Sequence, residues 1–145
     1  MNTRCLLSVL VILSCSGLSA RADEFDAQSF LGVSAGNSVG AAIKRGEKDG
    51  KKVLVFAYDS KKQNQAFHIK GMLDLEETRK LVRENFLVVV TDFKDKNVRD
   101  HVGSETQTRP MYFLFGPNGK LIQKGTAAMG ASLGGKLVKE WTATK

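Results

Sequence analysis

The sequence predicts an α/β domain, a mixed sheet flanked by helices. Three observations point there. Val53-Leu-Val-Phe-Ala-Tyr58 and Leu87-Val-Val-Val-Thr-Asp92 are continuous apolar runs of the kind found in strands covered on both faces. A helical pattern precedes each run, and the order helix, strand, helix, strand implies a parallel pair joined by a right-handed crossover. Asn118-Gly119 then stands between two further apolar runs, which marks an antiparallel hairpin, and an amphipathic segment follows it.

Taken along the chain, Asp23 to Gly36 offers only isolated apolar residues, Phe25, Phe30, Leu31 and Val33, and no element is predicted there. Asn37 or Ser38 can cap a helix over Val39, Ala42 and Ile43 that stops at Gly50. The first central strand is Val53–Tyr58. Gln63 to Met72 is compatible with a helix, and Asp74-Leu-Glu-Glu77 is a capping-box-like start for another, with Leu75, Thr78, Val82 and Phe86 on one stripe. The second strand is Leu87–Asp92, followed by a short helix over Asn97–Val102. Met111–Phe115 and Lys120–Lys124 flank the turn Gly116-Pro-Asn-Gly119. Ser132 to Trp141 closes the pattern as a helix carrying Leu133, Leu137 and Trp141.

Length and composition set the outer bounds. At 145 residues the chain holds one domain, 42% hydrophobic content is enough for a packed core, and Gly 14 with Pro 2 excludes low-complexity and collagen-like chains. The first 22 residues read as a secretory signal peptide: Arg4, an apolar run from Cys5 to Ser14, and Ala20-Arg-Ala22 just before Asp23-Glu24. That run is about half the ~20 residues needed to cross a bilayer. Lipidation at Cys15 is disfavoured by the bulk of Leu13. Cleavage after Ala22 leaves a domain over 23–145, secreted or periplasmic.

Cleavage has a chemical consequence. Cys5 and Cys15 are the only cysteines, and both lie in the leader. The exported domain is therefore expected to hold no thiol, which excludes a disulfide, a thiolate nucleophile and metal binding through sulfur. Loss of Arg4 and Arg21 leaves 20 basic and 15 acidic side chains, a net +5. That is a mildly basic surface without the interleaved aromatics of nucleic-acid binding, so no nucleic-acid partner is expected, nor a membrane once the leader is gone. A monomer is the default.

Three stretches together resemble the thioredoxin superfamily, especially its secreted thioredoxin-like members. They are Val53-Leu-Val-Phe-Ala-Tyr-Asp-Ser-Lys-Lys-Gln-Asn-Gln65, Glu84-Asn-Phe-Leu-Val-Val-Val-Thr-Asp92 and Thr108-Arg-Pro-Met-Tyr-Phe-Leu-Phe-Gly-Pro-Asn-Gly-Lys120. The resemblance spans roughly Val39 to Trp141 and implies a thioredoxin-like mixed sheet. It matches Pro110 to the family's cis-proline, which sits against the active-site loop. Family enzymes place a Cys-x-x-Cys pair at the start of the helix after the first central strand, where the helix N-terminus lowers the first thiol's pKa. The resemblance puts that pair at Lys62 and Gln65, or at Ser60 and Gln63 in a shifted alignment. Neither option supplies sulfur. The resemblance thus implies a thioredoxin-like domain without dithiol redox activity.

Other chemistry finds little support in the residues. His68 and His101 are the only histidines and have no partner at metal-binding spacing, so no metal and no cofactor are implied. Asp92, Asp95 and Asp100 fit no calcium loop. Gly130-Ala-Ser-Leu-Gly-Gly-Lys136 approaches a phosphate-binding loop, but Leu137 stands where Mg²⁺ would need a hydroxyl; these glycines read as a flexible lead into the last helix. Lys51-Lys52 and Lys61-Lys62 read as charges bracketing a buried strand, with anion or acidic-partner binding the sharper alternative.

Two function classes stay open. In the first, an exported binding module pairs an extended peptide with the loop at Arg109 and Pro110, faced by Ser60, Lys61, Lys62, Gln63 and Gln65, as the resemblance implies. The plainer reading gives Pro110 only a turn to fix. In the second, a non-thiol enzyme or small-molecule-binding protein uses Tyr58, Asp59, Ser60 or Arg109 on the same scaffold. The lack of a paired base and nucleophile favours the first.

Overall fold

The computed structural model describes residues 24–102 and 108–145. The leader expected over 1–22, with Cys5 and Cys15, lies outside the described residues. The sheet has four strands in the order β2-β1-β3-β4: β1 (Lys52–Ala57), β2 (Phe86–Thr91), β3 (Met111–Phe115) and β4 (Leu121–Thr126). β1 and β2 are parallel, with Val55 beside Val89, and β3 runs antiparallel to β1, with Phe113 beside Val55. The expected βαβ unit and hairpin are both there. β4 runs two residues past the expected Lys124, with Thr126 still paired to Met111.

Among the described residues six helices accompany the sheet: α1 (Ala27–Leu31), α2 (Val39–Asp49), α3 (Gln65–Met72), α4 (Glu76–Asn85), α5 (Lys96–Arg99) and α6 (Ala131–Ala143). Side chains alternate across the strands with period two. Leu54, Phe56, Val88, Tyr112 and Leu114 face one way and meet Leu31, Ile69, Val82 and Trp141 from α1, α3, α4 and α6. Val53, Val55, Val89, Phe113 and Phe115 face the other way, under Val39 of α2 and Val98 of α5. This is why β1 reads as an unbroken apolar run.

Local chemistry sets the element ends. The Ser38 hydroxyl accepts the Ala41 N–H and caps α2, and Gly50 closes that helix in the left-handed conformation. Asp74 does not cap α4. Its carboxylate lies 3.6 Å from Arg79 and its carbonyl accepts from the same guanidinium, leaving Leu75 at the cap with no side-chain bond. The turn before β4 is Gly116-Pro-Asn-Gly119, closed by the Gly119 N–H on the Gly116 carbonyl at 2.9 Å, with Gly119 at φ 73°.

Two features differ from expectation. The stretch up to Gly36 contains α1, capped by Asp26, and Gly36 forms a parallel bridge to Val89 at the outer edge of β2. Of the glycines read as a flexible lead, Gly130 is the exposed N-cap of α6, whereas Gly134 and Gly135 lie inside the helix and are buried. A Cβ on Gly134 would stand 2.1 Å from the Met72 carbonyl oxygen, and one on Gly135 2.9 Å from the Thr78 hydroxyl. They let α6 approach α3 and α4 more closely than a side chain would allow. At the far end of α6, the Lys52 ammonium donates to the carbonyls of Trp141, at 2.7 Å, and Thr144. A cation there satisfies orphan carbonyls and opposes the helix dipole.

Candidate functional site

β1 ends at Ala57, one residue short of the expected Tyr58, and after Tyr58 the chain turns through Asp59–Asn64 before α3 begins. Tyr58 is spent on the fold. Its hydroxyl accepts the Phe25 N–H at 2.8 Å, tying down the segment before α1, and burial pushes its pKa up. Asp59 shapes the turn: its carboxylate accepts the Lys61 N–H at 3.0 Å and its carbonyl accepts the Lys62 N–H at 3.0 Å. The helix starts at Gln65, two residues later than the sequence suggests, because Asn64 sits in the left-handed conformation at φ 69°.

Gln65 is the residue around which the site is organised. It is 2% exposed. Its Oε1 accepts the Asp59 N–H at 2.8 Å and its Nε2 donates to the Thr108 carbonyl at 3.2 Å. One amide therefore joins the loop after β1 to the segment leading into β3, and places Thr108, Arg109 and Pro110 beside the turn. Both amide atoms are used in a buried setting, where a polar group left unpaired would be costly. Sequence reasoning named Gln65 as a candidate but gave no sign of its burial.

The expectation of a cis bond at Pro110 is overturned. No cis peptide bond occurs among the described residues, so Arg109–Pro110 is trans. Trans is the lower-energy isomer of an X-Pro bond. Thr108 gives its carbonyl to Gln65, while the buried Pro110 gives its own to the Ala127 N–H at 2.8 Å. Arg109 is exposed, and its backbone N–H and carbonyl make no hydrogen bond to other described residues.

Ser60 and Lys61 line a cleft of about 230 Å³ together with Asp59, Asp92, Phe93 and Lys94. It opens at the carboxyl ends of the two parallel strands, the usual ligand position in an open α/β sheet. Asp92 repeats the geometry of Asp59, accepting the Lys94 N–H on its carboxylate at 2.6 Å. The sequence reading set Asp92 aside because it fits no calcium loop, and it named neither Phe93 nor Lys94. The available signal was the repeat of Asp-x-Lys, Asp59-Ser-Lys61 and Asp92-Phe-Lys94, after both central strands. Gln63 is exposed at the rim of the loop, and Lys62 is half-buried. A larger hollow of about 530 Å³ lies along α1 and Gly36 rather than beside Pro110.

No histidine is hydrogen-bonded to Ser60 among the described residues. The His68 ring lies edge-on to Phe67 at 6.2 Å, and the His101 ring lies against Phe115 at 5.8 Å. Asp95 caps α5 through the Asn97 N–H. No group of three metal-ligating side chains stands together among the described residues.

Comparison with solved structures identifies the architecture. The chain is similar to a disulphide isomerase from Xylella fastidiosa Temecula1 at 19% identity, with 72% of this chain and 88% of that one covered and a TM-score of 0.56. It is similar to a thioredoxin from Thermus thermophilus at 10% identity, with 75% and 87% covered and a TM-score of 0.60. A DsbH oxidoreductase matches at 16% identity, with 77% and 88% covered and a TM-score of 0.58. No family model and no curated protein matches the chain. The fold is thioredoxin-like, and at these identities the likeness is one of fold.

Proposed function

We propose that this is an exported thioredoxin-like domain that holds a protein or peptide partner and does not exchange disulfides. The observation that carries this reading is Gln65: in one of the two alignments the resemblance allows it stands where a thiol of the pair would be, and it is buried and hydrogen-bonded through both amide atoms. Residues 24–145 contain no cysteine, and the leader-like sequence over 1–22 supports export. Beside Gln65, the backbone of Arg109, which makes no hydrogen bond to other described residues, suits the addition of an extended strand, and main-chain pairing needs no thiol and no cis bond. Phe67, 70% exposed on the first turn of α3, adds apolar surface next to the same loop. Tyr58 is committed to Phe25, and among the described residues no histidine is hydrogen-bonded to Ser60.

Two measurements test this. The secreted form should fail to reduce insulin disulfides where a dithiol thioredoxin succeeds. A photo-crosslinking amino acid at Gln63 or Arg109 should capture a partner in the native secretory compartment, whereas one at Lys48, on α2 near the opposite end of β1, should not. Insulin turnover, or equal capture from Lys48, overturns the proposal.

A further inference from the structure

The loops after the two parallel strands meet in the cleft of about 230 Å³, and each brings the same pair of charges to it. Asp59 and Lys61 come from the loop after β1, Asp92 and Lys94 from the loop after β2, together with Ser60 and Phe93. Each aspartate accepts the backbone N–H of its own lysine through Oδ1, and its Oδ2 makes no hydrogen bond among the described residues. Neither the two carboxylates nor the two ammonium groups have an opposite charge within 4 Å among the described residues. Both signs of charge therefore share one small cleft without neutralising each other.

We propose that this cleft binds a small zwitterion, a free α-amino acid with an apolar side chain. Its lining carries two charges of each sign, so an anion drawn to Lys61 or Lys94 also meets Asp59 and Asp92, and a cation meets the same difficulty in reverse. A molecule holding both an ammonium and a carboxylate group answers both at once. Asp92 and Ser60 also line an adjoining hollow of about 170 Å³ to which Glu24 adds a further carboxylate, so the ligand's ammonium is drawn towards that side while its carboxylate pairs with the lysines. The half-buried Phe93 offers its side chain an apolar surface. The cleft is smaller than the range of about 300–1,000 Å³ usual for drug-sized ligands, which suits an occupant of amino-acid size. This site stands apart from the peptide reading: in the order β2-β1-β3 it lies on the β2 side of β1, whereas Thr108–Pro110 leads into β3 on the other.

The test titrates the isotope-labelled secreted protein at low salt with three probes, L-leucine, N-acetyl-L-leucine, which lacks the ammonium, and L-leucinamide, which lacks the carboxylate, and follows the backbone amide signals by NMR. Leucine should shift the signals of residues 59–61 and 92–94 and bind about fivefold tighter than either analogue, the loss expected for one exposed ion pair, with the gap narrowing as salt is raised. Asp92→Asn keeps an oxygen for the Lys94 N–H while removing the charge; it should weaken leucine and not N-acetyl-leucine. The double variant K61Q/K94Q should weaken leucine by about fivefold or more, and it should stay folded because both side chains are exposed. Equal binding of the three probes, no binding of leucine, shifts confined to other parts of the chain, or leucine binding that both variants leave unchanged would each overturn the proposal. None of these results alters what crosslinking from Gln63 or Arg109 captures, so the two readings fail separately.

Discussion

Replacing Gln65 with Met keeps the side chain's length and most of its volume while removing both polar atoms. The Asp59 N–H and the Thr108 carbonyl would each lose their partner inside a site that is 2% exposed at Gln65 itself. A buried polar backbone group left unpaired costs about 1–3 kcal/mol. Because both bonds are only partly buried, the expected total is about 2–4 kcal/mol, a large share of an ordinary domain's stability. Urea unfolding read through the fluorescence of Trp141, the single tryptophan and fully buried, measures it directly. Gln63→Ala, two residues earlier and exposed, should change stability by less than about 0.5 kcal/mol. A Gln65→Met protein within about 0.5 kcal/mol of the parent would show that the amide does not hold the loop to the Thr108 segment, and the account of the site would fail with it.

Two further predictions concern the scaffold. Gly134→Ala would drive a Cβ to 2.1 Å from the Met72 carbonyl, so soluble yield should collapse or stability fall by about 3 kcal/mol or more, whereas Gly130→Ala, with nothing within 4 Å and a negative φ, should be tolerated; parallel thermal melts decide. Glu76 is hydrogen-bonded by Arg83 and Arg79, which hold its carboxyl below the value of 4.5 expected of a free glutamate. Its contribution is therefore complete above pH 4.5 and is lost as pH falls through the lower folded value, so Glu76→Gln should flatten acid destabilisation in that window, and urea midpoints unchanged in their pH dependence would contradict this.

What could be read from the sequence follows from what each signal depends on. β1 and β2 declare themselves because burial on both faces leaves no place for a polar residue between Val53 and Tyr58 or Leu87 and Val90. Ser38 and Gly50 mark the ends of α2 because capping chemistry is local. α1, five residues long, offers no periodicity to detect, and the bridge at Gly36 depends on a partner strand far along the chain. Gly134 and Gly135 look flexible in one dimension and are close-packing residues in three, since only the approach of Met72 and Thr78 gives them their role. The candidate site shows the same division. Resemblance placed the loop and the Pro110 segment together, but the burial of Gln65, the trans bond and the cleft between the two Asp-x-Lys turns arise from tertiary contacts.

The clasp between Lys52 and the last turn of α6 bears on when this protein can fold. Lys52 opens the first central strand, yet its acceptors lie 89 and 92 residues downstream, and Trp141 beside them completes the core against Tyr112. During synthesis the sheet must wait with that side uncovered until α6 has left the ribosome. Until then that flank of the core has no cover, so the domain closes only when its last helix docks.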